Sequence, residues 1–148
     1  MRQRRRDERG TALVEVTWLS ILLLVPLVYV VLAVFDVQRS AFAVDAATRA
    51  ARRAYSLAPT EASGGARARA AAAVALEDQG LTPRRGTMRL TCAPVPHDCL
   101  APGAVIRVRM VYPVPLPLMP SALGGNTPSI RVEADHVVPY GTFREDRP

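Results

Sequence analysis

The chain has 148 residues, a formal net charge of +6 and 5% aromatic residues. This length allows one domain besides a membrane anchor. Five of the 19 basic residues lie in the first ten positions beside Asp7 and Glu8, so half of the charge excess (5 − 2 = +3) belongs to the head of the chain. A nucleic-acid-binding domain would carry a dense basic stripe interleaved with stacking aromatic residues. The arginines after position 35 are instead scattered among acids, which gives little support to nucleic-acid binding.

A membrane-length apolar segment follows the basic head. Residues 12–34 are apolar except for Glu15, Thr17 and Ser20, and about 23 helical residues reach roughly 34 Å, enough to cross the hydrocarbon core. A cleaved secretory signal has a shorter apolar region followed directly by small residues, whereas the A-x-A tripeptide at 41–43 lies well beyond this segment. The arginine-rich head is expected to stay in the cytoplasm, with the C-terminal part outside. We therefore predict four regions: a basic cytoplasmic leader (1–10), a transmembrane helix (11–35), an extracytoplasmic domain (36–141) and a flexible tail (142–148).

Helical periodicity continues from Asp36 to Leu57. One apolar stripe has spacings of 4, 3, 4, 3 and 4 residues, and its members are Val37, Ala41, Val44, Thr48, Ala51 and Tyr55. Asp45 and Arg49 form an i,i+4 pair in the favourable order. The anchor is thus predicted to continue as one long helix that Pro59 ends.

A second, shorter helix is predicted to open at Thr60-Glu-Ala-Ser and to run to about Gln79. Gly80 supplies a natural stop. The consecutive glycines Gly64 and Gly65 are expected to weaken its first turn. The alanine-rich block that follows favours a helix with a small-residue packing face.

From Gly86 the periodicity changes to two, as in half-buried strands. The three alternating segments are 88–92, 106–112 and 130–136. The outer face of the second is basic and that of the third is partly acidic, so these two strands are expected to be neighbours. Pro113–Pro128 is predicted to be a long irregular loop, in which Leu116, Leu118 and Met119 either cover the sheet or contact a neighbouring molecule. The fold class is α+β, with a small antiparallel sheet of three or four strands packed on the long helix.

Two cysteines, Cys92 and Cys99, lie between the first two predicted strands. In an oxidising extracytoplasmic space they can form a disulfide, which would stabilise the domain by about 2–3 kcal/mol. Free thiols are one alternative. A metal site that includes His97 is another, but structural zinc needs four ligands and this segment offers three. His136 is interpreted as a core or edge histidine.

Catalytic and cofactor motifs are absent from the sequence: it has no nucleophile elbow, phosphate loop, dinucleotide fingerprint or paired-acid motif. We therefore expect no enzymatic activity, no cofactor, no metal and no small-molecule substrate.

Residues 9–16, Arg-Gly-Thr-Ala-Leu-Val-Glu-Val, place one carboxylate inside the apolar segment. A carboxylate buried in a membrane helix costs about 2.5–3.5 kcal/mol on insertion scales. The basic head, Gly10 before the apolar run and Glu15 as the fifth residue from Thr11 together resemble the processing site of type IV prepilin-like proteins. The run Gly-Thr-Ala-Leu-Val-Glu-Val-Thr is most similar to the TadE/TadG-like pseudopilins of tight-adherence (Tad) pilus systems. The resemblance is carried by residues 9–35, extends in part over the rest of the long helix, and beyond that helix is only architectural, a pilin-like domain.

The resemblance implies that a membrane prepilin peptidase cuts between Gly10 and Thr11 on the cytoplasmic side. Glu15 would then face the new α-amine of Thr11 on a neighbouring subunit, which offsets the burial of both charges. Thr11 stands where major pilins have a large apolar residue, and Val16 stands where small Flp-type pilins have tyrosine. These departures and the large C-terminal domain favour a minor pilus component that acts in assembly or adhesion. Its implied partners are the membrane, the peptidase, other pilin subunits and the assembly platform.

Two other interpretations stay open at this point. The chain could be an uncleaved, single-pass membrane anchor whose outer domain binds a partner protein. It could also be a DNA-uptake pseudopilin, whose outer domain would bind duplex DNA in a salt-sensitive way.

Overall fold

The computed structural model describes residues 9–96, 98–116, 128–144 and 146. These residues form the predicted α+β fold: a long helix, a second helix and a three-stranded antiparallel sheet. In chain order the elements are α1 (Arg9–Ser56), α2 (Glu61–Glu77), a 3-10 turn (Pro83–Arg85), β1 (Thr87–Ala93), β2 (Val105–Pro115) and β3 (Ser129–Pro139).

Helix α1 is continuous over 48 residues and passes through Pro26. Its C-terminal half packs against α2, β2 and β3, and the predicted apolar stripe faces this core. The buried side chains of this half are Ser40, Ala43, Val44, Ala47, Thr48, Ala51 and Tyr55. The buried Thr48 hydroxyl donates to the Val44 carbonyl at 2.6 Å, so its polar group is satisfied within the helix. The prediction of one long helix, with its second half serving the domain, is confirmed.

Helix α2 begins after Thr60, whose hydroxyl accepts a hydrogen bond from the Ser63 backbone amide. The helix runs without interruption through Gly64 and Gly65, so the expected weakness of its first turn is not observed. The reason is packing: Gly64 is buried, and its Cα faces the ring of Tyr55 on α1. The prediction of a second helix is confirmed, and Gly80 follows its end with a φ of +71°.

The strand order is β1-β2-β3, with both pairs antiparallel. The predicted adjacency of the second and third strands is confirmed by ion pairs on the outer face. Arg107 Nε lies 3.7 Å from Asp135 Oδ1, and Arg109 pairs with Glu133. On the inner face the side chains of β2 are buried beneath α1: Ile106, Val108, Met110, Tyr112 and Val114.

The predicted loop over Pro113–Pro128 is wrong at its start, because β2 extends to Pro115 and pairs with β3 as far as Ser129. Proline is tolerated in a strand only where its missing amide has no ladder partner. Strand β1 begins at Thr87, which lies opposite Val111. No β1 residue therefore lies beside Pro113 or Pro115 on the side of β2 to which an amide at these positions would point. Leu116 donates its backbone amide to the Pro128 carbonyl at 3.1 Å, and the predicted Leu118 and Met119 lie outside the described residues.

Candidate functional site

The first half of α1 is an exposed apolar surface. Between Leu13 and Phe35 the large apolar side chains are 45–72% exposed. Monomeric soluble proteins rarely expose apolar patches of this extent. The helix is long and apolar enough to cross a membrane, with a mean hydropathy of 2.7 over its most apolar 18-residue window. Among the described residues it is the one candidate membrane span.

Within this apolar surface, Glu15 is an exposed carboxyl group without an internal partner; the buried Tyr29 hydroxyl also lacks a hydrogen-bond partner among the described residues. The hydroxyls of Thr17 and Ser20 donate to the carbonyls of Leu13 and Val16, each at 2.8 Å. The Glu15 side chain, in contrast, is exposed and makes neither a hydrogen bond nor an ion pair with the described residues. It needs a partner from outside the chain if this segment is surrounded by lipid.

Gly10 and Thr11 lie in the first turn of α1, which begins at Arg9. Glu15 follows Thr11 by four residues, so the two positions share one helix face about 6 Å apart along the axis. The structure therefore places Thr11 and Glu15 on one face of α1, and Gly10 lies in the same first turn but on a different face.

The cysteine pair is a disulfide. Cys92, at the end of β1, is bonded to Cys99 in the connection to β2, with their Cα atoms 5.2 Å apart. Both residues are buried, and both sulfurs are used by this bond, so neither is a free thiol or a thiolate ligand. His97, the third candidate ligand, lies outside the described residues.

Glu61 fixes the disulfide segment to the start of α2, a role that its position after the N-cap does not reveal. Its Oε1 atom accepts from the backbone amide of Cys99 and, at 3.1 Å, from that of Leu100. Burial raises the pKa of Tyr55 to about 12, and the negative charge of Glu61 adds to the increase. These groups border an open recess of about 490 Å³. The recess lies near the end of α1, about 30 Å along the helix from Phe35.

A polar contact between Asp45 and His136 joins α1 to β3. His136 Nε2 lies 2.5 Å from Asp45 Oδ1, and Asp45 also pairs with Arg49 as predicted. His136 is half-buried on the inner face of β3, which agrees with its interpretation as a core or edge histidine. The sequence placed Asp45 beside the apolar stripe of the helix, but it did not indicate that His136 would be its partner. The two residues are 91 positions apart in the chain.

No protein-family model, curated protein or solved structure matches this chain. Its two distinctive parts are an exposed apolar helix with one unpartnered carboxylate and a small disulfide-bonded domain built on the same helix.

Proposed function

We propose that this chain is a minor pseudopilin of a Tad-type pilus or secretion apparatus, similar to the TadE/TadG-like proteins. The observation that carries this proposal is the division of α1. One helix supplies both an exposed apolar segment with a single carboxylate near its start and the buried core helix of the folded domain.

The exposed carboxylate supports assembly through helix packing. A charge in a low-dielectric environment is retained when an opposite charge lies beside it. Cleavage after Gly10 would remove five arginines and create an α-amine at Thr11, one helical turn from Glu15. In a bundle of such helices the amine of one subunit pairs with Glu15 of the next. The pair neutralises both groups and sets the axial register.

The first test is the mass of the mature protein. Full chain extracted from membranes of cells with an active prepilin peptidase should begin at Thr11, and Gly10→Ala should leave it beginning at Met1. Membrane insertion should be unchanged in the variant, because residues 12–34 are intact. A wild-type chain that begins at Met1 would instead favour the uncleaved membrane anchor.

The second test separates the charge of Glu15 from its position. Glu15→Gln should insert and be cleaved normally but should be strongly reduced in isolated pilus or assembly fractions. Glu15→Asp should retain part of this incorporation. Combining Glu15→Gln with Leu19→Glu moves the carboxylate one turn along the same face, about 6 Å from its place, and should not restore incorporation. Normal incorporation of Glu15→Gln would contradict the charge-pairing role.

A further inference from the structure

A cavity lies where α1 passes from the apolar segment into the domain. Its volume is about 230 Å³, and its walls include Asp36, Arg39 and Ser40 of α1 and Arg85 of the turn after α2. Asp36 and Arg39 follow Phe35 by one and four residues, or about 1.5 and 6 Å along the helix axis. The headgroup layer extends about 5–8 Å beyond the hydrocarbon core on each side of a bilayer. If the apolar segment crosses the membrane, the cavity is level with the phospholipid phosphates.

The wall that carries Arg85 is anchored to the domain core. The backbone amide of Thr82 donates to the Tyr112 hydroxyl at 3.2 Å, and Tyr112 is buried. A Cβ atom at Gly86 would lie 3.2 Å from the Tyr112 ring, so the chain after Arg85 lies directly on that ring. The backbone that presents Arg85 is therefore held in place by the sheet beneath it.

The charged side chains of this cavity form no ion pairs with the described residues. Arg39, Arg85 and Asp36 make no ion pair with any described residue, whereas Arg107 and Arg109 on the sheet are paired with acids. Two guanidinium groups and one carboxylate leave a net positive charge on the cavity walls. Guanidinium presents donors in a planar fork that matches phosphate oxygens.

We propose that this cavity binds the phosphate of a membrane phospholipid through Arg39 and Arg85. The contact seats the domain on the outer leaflet at a fixed height and rotation about α1. Asp36 opposes the bound negative charge and limits the affinity for anionic lipids. The proposal rests on the membrane-spanning role of residues 11–35 and is independent of cleavage and pilus assembly.

The experiment is lipid titration of the detergent-solubilised full chain, read by native mass spectrometry, with phosphatidylglycerol and inorganic phosphate as separate probes. Wild type should retain one phosphatidylglycerol in a saturable manner. A direct ion pair at an exposed site contributes up to about a 5-fold gain in affinity, so Arg39→Gln with Arg85→Gln should weaken retention by up to about 30-fold. Asp36→Asn should strengthen it.

The matched control is Arg84→Gln, which removes the same charge from the neighbouring residue outside the cavity. It should change retention less than twofold, against up to about fivefold for Arg85→Gln. Equal effects at 84 and 85 would show diffuse surface attraction and overturn the site. Saturation by inorganic phosphate without retained lipid would overturn the lipid assignment. If the double variant does not fold, the single arginine variants and Asp36→Asn still test the site. Misfolding cannot produce the increase in lipid retention that is expected for Asp36→Asn.

Discussion

Ionisation of Tyr55 at alkaline pH is expected to lower the stability of the folded domain. Its pKa is about 12 in the folded chain, against 10.0 ordinarily, because of burial and the neighbouring Glu61. Below pH 10 the hydroxyl is neutral in both the folded and unfolded chain. Between pH 10 and 12 the unfolded chain loses this proton first, so the folded state becomes less favourable as the pH rises.

We therefore predict that, from pH 9 to pH 11, the free energy of unfolding of wild type falls by about 1 kcal/mol more than that of Tyr55→Phe. Phenylalanine keeps the ring against Gly64 and removes the ionisable hydroxyl. Urea unfolding of the detergent-solubilised full chain, followed by circular dichroism, measures this difference. Equal losses in the two proteins would assign the alkaline effect to other groups.

Individual residues were predicted from sequence where a local pattern determined their role. The cysteine pair and the Asp45–Arg49 pair follow from short spacings in the chain, and both are present. The contacts of Glu61 with Cys99 and of Asp45 with His136 join residues 38 and 91 positions apart. Because such contacts depend on how elements pack, periodicity within one element cannot reveal them.

At the scale of elements, the two glycines of α2 differ in what surrounds them. A Cβ atom at Gly64 would lie 2.9 Å from Tyr55 Cε2, whereas at Gly65 the nearest atoms belong to the flexible Arg69 guanidinium, at 3.7 Å. Alanine improves helix propensity by about 1 kcal/mol at either position. Overpacking at Gly64 costs about 1–3 kcal/mol and outweighs this gain.

Gly64→Ala should therefore destabilise the domain by about 1 kcal/mol, and Gly65→Ala should stabilise it by about 1 kcal/mol. Each variant is the control for the other, since both make the same chemical change in adjacent helical positions. Thermal unfolding of the full chain followed by circular dichroism gives the two signs. Stabilisation of both variants would show that α1 and α2 do not need their close contact at Gly64.

Periodicity predicted the second half of α1 and the three strands, and α2 was predicted from its N-terminal cap, its alanine-rich block and Gly80. All of these elements are present, although β3 runs three residues beyond the predicted end at 136. The end of β2 was missed because Pro113 and Pro115 are typical of loops, and their tolerance depends on the absence of β1 beside them. The C-terminal end of β2 is therefore determined by the neighbours of this strand in the sheet and not by the residue types at 113 and 115.

At the scale of the whole molecule, α1 joins an exposed apolar segment to the packed core of the domain. Its first half exposes apolar side chains suited to lipid, and its second half buries small side chains against α2 and the sheet. The domain therefore cannot turn independently of the apolar segment unless α1 itself bends or breaks. This rigid connection is what would let a contact at Glu15 set the position of the outer surface.

The disulfide provides a test of membrane orientation, because it lies in the domain that follows the apolar segment and disulfides persist in oxidising compartments. Its short closed loop predicts that Cys92→Ser with Cys99→Ser lowers the free energy of unfolding by about 2–3 kcal/mol.

In cells, the wild-type cysteines should react with maleimide only after reduction. Replacing the five leader arginines with glutamine removes the positive-inside signal, and the fraction with free thiols should rise as chains insert in the opposite orientation. Free thiols in most wild-type chains would place the domain on the reducing side and contradict an outward-facing pseudopilin.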